Sequence, residues 1–424
     1  LINLSMYITS NPKASDQVVF HAHLLQVATG LLAFPIVILV GHYAGPFFGA
    51  DHADRYVPGL ALAALIDRFT YIPDRLLLNQ LRFRTSVMSR TAGEVTFTVG
   101  SVGLALAGVG PMCIVWANIA RSVVRFCIIH WYAPWRRCVR PHPIDMTILK
   151  SLVGFGLVVN VGAIAGFSAT KIDNLLVSRM FGTEILAYYN LAYNLSEIPS
   201  AVVGEQISDV LAVTYAQMGP DRRMAALIRS LGIVGLLVFP LAIGLASTSP
   251  TLIAAFLKPE WRLAGTMMIV LASMSLTKPL VAAAFGYLFA ERKQARFALL
   301  QVLHLAAIVV GVSTVGRLGP LWVCAAVAST YAMQAVAGLW LAASGSESSI
   351  GTVLVRMAPP LLACVPMAAA VVAVHWELAR LGVDPRISLA LEVVAGAITY
   401  VGAAFVVARD IARETVQLVR QTIQ

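Results

Sequence analysis

Long apolar runs, each closed by a short polar break, alternate along the whole chain. They fall at approximately 21–41, 56–80, 91–109, 111–133, 152–172, 184–214, 226–247, 264–289, 295–315, 319–342, 352–375 and 388–408. Each approaches the ~20 residues that an α-helix needs to cross a ~30 Å hydrocarbon layer at ~1.5 Å per residue. The breaks carry turn and helix-start residues: Gly110-Pro111, Ala133-Pro134, Gly219-Pro220, Lys258-Pro259 and Leu318-Gly319-Pro320. The second and sixth runs hold several polar residues and are the weakest. The pattern predicts an all-α integral membrane protein with about 12 transmembrane helices.

Composition agrees. Of 424 residues, 58% are hydrophobic and 12% charged, with a mean hydropathy of +0.79. Soluble domains carry about 25% charged residues, so an ordinary water-soluble enzyme is excluded. The net charge of +10 raises nucleic acid as a partner, but the placement of the charge explains it otherwise. Segments at the far ends of even-numbered spans, with Lys13, hold 19 of the 31 basic residues; the opposite segments hold 7 and the spans themselves 5. That is the positive-inside pattern. It predicts both termini of this chain in the cytoplasm and no nucleic-acid partner. Labelling of Cys138 from outside intact cells is expected to fail. The five cysteines form no CxxC pair and read as small buried apolar residues.

Ionisable residues at bilayer depth are costly and face one another or a wet cavity. Arg121 lies ten residues past Pro111, about 15 Å into the fourth span. Arg125 follows one turn later on the same face. Two like charges there are relieved either by an anionic ligand, which guanidinium binds bidentately, or by Asp67 or Glu197, or by snorkelling. Asp67 and Arg68 are adjacent in the second span and cannot pair well with each other; a bond from Asp67 to Arg121 is one option. Lys171 and Asp173 near the end of the fifth span read as interface anchors or a local pair. Lys278-Pro279 is expected to break the eighth span, with Lys278 lining a cavity.

Glu197, Glu205 and Asp209 fall near one face of the sixth span. They are available to pair with cations or to carry a coupling ion. Tyr188, Tyr189 and Tyr193 fit either sugar stacking or an aromatic belt. His21 and His23 have no third ligand nearby, so no metal site is expected. Gly162 and Gly166 mark a close helix contact. No GxSxG, Walker or dinucleotide motif occurs, so neither catalytic residues nor a cofactor is expected. A membrane glycosyltransferase, acyltransferase or polymerase would need a catalytic loop, and the first external loop offers only Asp51, His52 and Asp54. Residues 410–424 are expected to form an amphipathic surface helix or to fray.

Within Lys171–Pro199, the residues Asp173, Leu176, Arg179, Gly182, Leu186, Tyr189, Ala192, Tyr193, Leu195 and Pro199 stand in a pattern. It resembles the seventh-to-eighth helix region of Wzx-type polysaccharide flippases in the multidrug/oligosaccharidyl-lipid/polysaccharide (MOP) superfamily. Asn79–Arg84 is similar to that family's basic loop after its fourth helix, and Leu257–Arg262 to the loop opening its tenth. The resemblance implies a 14-helix fold of two lobes and a final helix pair. Here that would be an N-terminal lobe over 1–150, a C-terminal lobe over 151–345, and the final pair with a cytoplasmic tail over 346–424. Aligned on Asp173, with Leu1 in place of a Met, the chain is expected to lack roughly the first two helices, apart from a remnant at 1–10.

The implied function is flipping of a polyprenyl-pyrophosphate-linked oligosaccharide across a bacterial inner membrane, for exopolysaccharide, capsule or O-antigen. Polysaccharide polymerase and chain-length proteins would be its partners. Arg121, Arg125, Lys278, Tyr189 and Tyr193 would meet the substrate; Asp67, Arg68, Lys171, Asp173, Glu197 and Glu205 would pair charges or carry coupling. The alternative of the same superfamily is a cation-coupled drug or metabolite antiporter.

Overall fold

The computed structural model describes residues 4–11, 14–47, 53–344 and 350–423; within helices, the side chains of 44–47, 53, 202–210, 220–221, 350, 416 and 418–423 fall outside that description. The described residues are helical almost throughout, with short connections. The helices are α1 (Ser5–Ser10), α2 (Asp16–Phe47), α3 (Ala53–Asn79), α4 (Phe83–Leu106), α5 (Met112–Tyr132), α6 (Arg136–Val139) and α7 (Met146–Gln217). They continue with α8 (Pro220–Phe256), α9 (Arg262–Ala290), α10 (Gln294–Thr314), α11 (Pro320–Ala343), α12 (Ile350–Arg380), α13 (Pro385–Val407) and α14 (Arg409–Ile423).

Among the described residues nine helices are long and apolar enough to cross a membrane. The stretch Met146–Ala201 counts once there, although it is long enough for two crossings, and α3 and α4 have membrane-spanning length with a more polar composition. About twelve crossings are consistent with this arrangement, and the chain is a multi-pass membrane protein.

Two compact units make up the chain, residues 1–160 and 161–424. In the first, α3 packs on α2 and α5, and α5 on α4. Its core joins Leu4 and Ile8 of α1, Val19 and Ala22 of α2, Ile72 and Leu76 of α3, Cys138 and Leu152. His21 ties α2 to the segment before α7: Nδ1 stands 2.7 Å from the Gln17 carbonyl, and Nε2 accepts the Asp145 N–H at 3.0 Å. In the second unit α9 packs between α8 and α11, while α12 and α13 lie side by side on α8. Its cores are Tyr189, Met267, Met268, Leu271 and Ile308 at one level, and Tyr215, Leu227, Leu231 and Tyr287 at another. Large apolar side chains on outward faces, such as Leu32, Phe167, Val355 and Ile398, stay exposed, as lipid-facing positions must.

Three expectations change here. The loop expected near 173–183 is a single-residue break: helix runs to Phe181 and resumes after Gly182, whose φ of 84° and ψ of −179° only glycine tolerates comfortably. Lys278-Pro279 does not end α9, which is continuous from Arg262 to Ala290; neighbouring helices tolerate the freed backbone group within a bundle. The cysteines also divide, because Cys127 is exposed on α5 while the other four are buried.

The tail forms α14 with Ile411 and Ala412 buried. Its Glu414 is held by Arg229 of α8 and, at 2.8 Å, by Arg356 of α12. Cys138 is 1% exposed, and burial pushes its thiol up to about 12. It is inert from either side, so its failure to label would not report topology.

Candidate functional site

Each unit carries one cluster of charges inside its helices. In the first unit the cluster forms where α3, α4 and α5 meet. Arg121 and Arg125 lie one turn apart on α5, and their stems cross Gly93 of α4. A Cβ at Gly93 would stand 2.8 Å from Arg125 Cγ and 3.2 Å from Arg121 Cγ, so the missing side chain makes the room. The guanidiniums then diverge. Arg125 reaches Asp67 of α3 at 3.7 Å and Arg121 reaches Glu94 of α4 at 3.6 Å.

Charge-assisted N–H···O bonds are about 2.7–2.9 Å long, so both are ion pairs without a close hydrogen bond. The buried Nε of each arginine and Oδ1 of Asp67 have no hydrogen-bond partner. Arg121 also stands 5.5 Å over the Phe97 ring. Asp67 therefore pairs with Arg125 rather than with Arg121. Arg68 turns away, 5.5 Å over the Tyr71 ring. Arg90 and Asp74 form a third pair at 3.6 Å, and Ser86 donates to Asp74 at 2.6 Å.

The second cluster is built by α7, α9, α10 and α11. Lys278 Nζ donates to Glu197 Oε1 at 2.5 Å and to Tyr193 Oη at 3.2 Å. It also lies 4.9 Å over the ring of Tyr193 and 4.8 Å over that of Tyr331. The two tyrosine hydroxyls share a hydrogen bond at 3.1 Å. His304 packs its ring 4.6 Å from Tyr331, and its buried Nε2 has no partner. Across the Gly182 break, Tyr189 donates to Asp173 Oδ2 at 2.7 Å. The sequence separation of sixteen residues between these two spans the break, which folds one arm of α7 back on the other.

Asp173 is thus a core residue, 1% exposed, while Lys171 faces outward. Tyr189 and Tyr193, at 0% and 5% exposed, turn no open ring face toward a ligand. Tyr188 is the belt-like member: it donates to Glu184 at 2.9 Å and meets Trp261 edge-on at 5.1 Å. Glu197 serves Lys278 rather than the arginines. Glu205 and Asp209 lie among the side chains outside the described residues, as do Asp51 and His52. Among the described residues no group of three His, Cys, Asp or Glu could hold a metal.

Asp67, Asp173 and Glu197 stand out in the sequence as acidic residues inside or at the end of expected spans. Glu94, at the start of an expected span, was legible by the same criterion. His304 and Tyr331 were not, because neither is rare enough inside a span to stand out.

A multi-pass helical membrane protein is the class that this fold defines. The chain belongs to the family described as polysaccharide biosynthesis protein, which matches residues 4–266. It is 24% identical over 386 residues to the teichuronic acid biosynthesis protein TuaB of Bacillus subtilis, covering 89% of this chain and 78% of TuaB. It is 21% identical over 240 residues to the lipopolysaccharide biosynthesis protein WzxC of Escherichia coli, covering 56% of this chain and 48% of WzxC.

In fold it is similar to an outward-facing multidrug resistance transporter of the MATE family in the MOP superfamily. The TM-score there is 0.69 at 14% identity, over 82% of this chain and 83% of that one. It is also similar to the lipid II flippase MurJ in an inward closed conformation, with a TM-score of 0.60 at 12% identity over 96% of this chain and 88% of MurJ. The resemblance to Wzx-type proteins carried by the motif around Asp173 therefore holds at the level of the family, and in fold the chain is similar to a member of the MOP superfamily.

Proposed function

We propose that this chain flips a lipid-linked oligosaccharide, with a polyprenyl pyrophosphate as anchor, from the cytoplasmic to the outer leaflet of a bacterial inner membrane. The observation that carries this is the family match over residues 4–266, in a chain whose fold is also that of a lipid flippase. Both termini lie in the cytoplasm, as the basic residues argue. The work is transport, not catalysis of a covalent step.

A glycan cannot cross hydrocarbon unaided, because its hydroxyls would lose their hydrogen bonds. The chain must supply polar partners along the way and a cation for the pyrophosphate. Arg121 and Arg125 are the groups best suited to that cation role. Their carboxylates stand off at 3.6 and 3.7 Å, and each keeps a buried Nε unused. A pyrophosphate carries more charge and more acceptor oxygens than either carboxylate, enough to engage both guanidiniums at once. Lys278 holds Glu197 and two tyrosine rings, and serves coupling or rigidity within the second unit. The division into lobes over 1–150 and 151–345 with a final helix pair, and an association with polymerase and chain-length proteins, belong to this reading.

The test is the double substitution Arg121→Gln with Arg125→Gln in the native protein. Surface polysaccharide is expected to disappear while the protein still inserts in the membrane at normal abundance. Unchanged polysaccharide would remove the arginines from the transport step. A cation-coupled small-molecule antiporter is the second reading, favoured by the MATE fold likeness. Cation-dependent extrusion of amphipathic dyes from vesicles, with polysaccharide unaffected by gene disruption, would select it instead.

A further inference from the structure

Glu392 plays no part in either cluster, yet it is the most deeply enclosed carboxylate near the α12–α13 turn, 0% exposed. It lies on α13, seven residues past Pro385, about 10 Å along the helix. Its Oε1 accepts from Thr251 Oγ1 of α8 at 2.8 Å and stands 2.8 Å from His375 Nδ1 of α12. Thr251 Oγ1 and His375 Nδ1 are 2.9 Å apart. Three helices thus meet on one carboxylate oxygen. The other oxygen, Oε2, is buried with no hydrogen-bond partner.

Glu392 also lines a cavity of about 470 Å³ whose remaining wall includes Leu241, Gly244, Met367, Val371 and Tyr400. The Tyr400 hydroxyl is spent on the Leu236 carbonyl at 2.7 Å. Of the charged groups at the α12–α13 turn, Asp384 accepts from the Arg386 backbone N–H at 2.8 Å. Arg386 Nε donates to the Ala255 carbonyl at 3.3 Å. Arg380 pairs with Glu377 at 3.6 Å, both well exposed.

An ionised carboxylate with one oxygen bare among apolar side chains is expensive to keep. A hard metal cation would need about six oxygen ligands, which leucine, methionine and valine walls do not supply. A proton needs only the carboxylate. The route for it is also present: the His375 side chain is 39% exposed where that of Glu392 is 0%. An imidazole reached by water on one nitrogen can hand a proton from the other to a carboxylate in hydrogen-bond contact, as His375 Nδ1 is with Glu392.

We propose that Glu392 is a proton-binding site, loaded through His375 from the α12–α13 end, and that its protonation couples this helix pair to α8. A proton taken from water at His375 Nε2 is matched by one passed from Nδ1 to Glu392 Oε1. The ring ends neutral and the carboxyl group ends neutral. Neutral Glu392 donates from Oε1 to the now bare His375 Nδ1, and the bond it accepts from Thr251 of α8 loses its charge assistance and weakens.

What the proton drives rests on the transporter reading above; the proton site itself is measured without transport. The experiment is infrared difference spectroscopy of the full chain in lipid nanodiscs, titrated from about pH 5 to about pH 8, where imidazoles in general change charge. A protonated-carboxyl C=O band is expected to rise as pH falls, to vanish in Glu392→Gln, and to shift its midpoint in His375→Gln. A spectrum that Glu392→Gln leaves unaltered overturns the proposal. If that variant does not fold, an unmoved midpoint in His375→Gln overturns it instead. A titrating band with polysaccharide export unchanged in Glu392→Gln removes the coupling and leaves the flippase reading intact. Failure of the flippase reading shows separately, as normal surface polysaccharide after gene disruption.

Discussion

The two intramembrane clusters hold their cations in opposite ways. In the first unit Arg121 and Arg125 keep their carboxylates at 3.6 and 3.7 Å and leave donors over. In the second, Lys278 is closed down on Glu197 at 2.5 Å and caged by two tyrosine rings. A cation with spare donors and a loose partner can exchange that partner for a ligand at small cost. A cation that is saturated cannot, because any ligand must first pull apart a close pair in a low dielectric. Under the proposed function, the contrast gives exchange to the arginines and cohesion to the lysine.

That contrast can be broken. Lys278→Ala removes one half of a close pair and both cation–π contacts. It is expected to destabilise the protein by on the order of 3 kcal/mol, the low end for a broken buried pair because Glu197 keeps part of its exposure. Thermal unfolding in nanodiscs checks this. The arginine double variant should move the same transition by less than about 1 kcal/mol, as loose pairs do. Equal losses would erase the distinction.

Gly93→Leu should push both arginine stems off α4, costing about 1–3 kcal/mol by overpacking and reducing export. Export at the native level would show that the stems need no such channel. Tyr193→Phe keeps its ring over Lys278 and loses the hydroxyl bonds, for about 1 kcal/mol. A larger loss would mean that the hydrogen bonds, rather than the ring, hold the lysine.

The smallest effect concerns the start of α7. The Thr147 and Ile148 backbone N–H groups hold the Asp145 carboxyl below its ordinary range. A depressed carboxylate stabilises above its unfolded value and loses that contribution as pH falls through the folded one. Hydrogen-exchange protection factors at Thr147 and Ile148, taken relative to the intrinsic rate at each pH, should therefore fall in acid in the native protein, and already at neutral pH in Asp145→Asn. Membrane sidedness is sharpened by cysteines at the two ends of one helix. Arg317→Cys should label from outside intact cells and Arg296→Cys should not, since both positions are exposed.

Much of the fold was legible because crossing a bilayer leaves a coarse mark. The runs of apolar residues located the helices, whereas the break at Gly182 between the two arms of α7 appears only in the structure. The intramembrane charges were legible as isolated residues. Their pairing was not. Asp67 met Arg125 and not Arg121 because the side chains diverge around Gly93, and no spacing rule contains that. Glu392 lies inside an expected span and is legible by the criterion that picks out Asp67 and Glu197, but its meeting with His375 and Thr251 joins three helices and is not.

By itself the sequence determined that this chain is a bundle of membrane-crossing helices, through apolar length and the one-sided placement of arginine and lysine. Both act through transfer from water to lipid, a property of each segment alone. Only the tertiary structure decided which charges meet, which tyrosines are buried and which carboxylate oxygen is left bare. Those outcomes depend on contacts between helices far apart in the chain, at distances where an ångström separates a loose ion pair from a closed one.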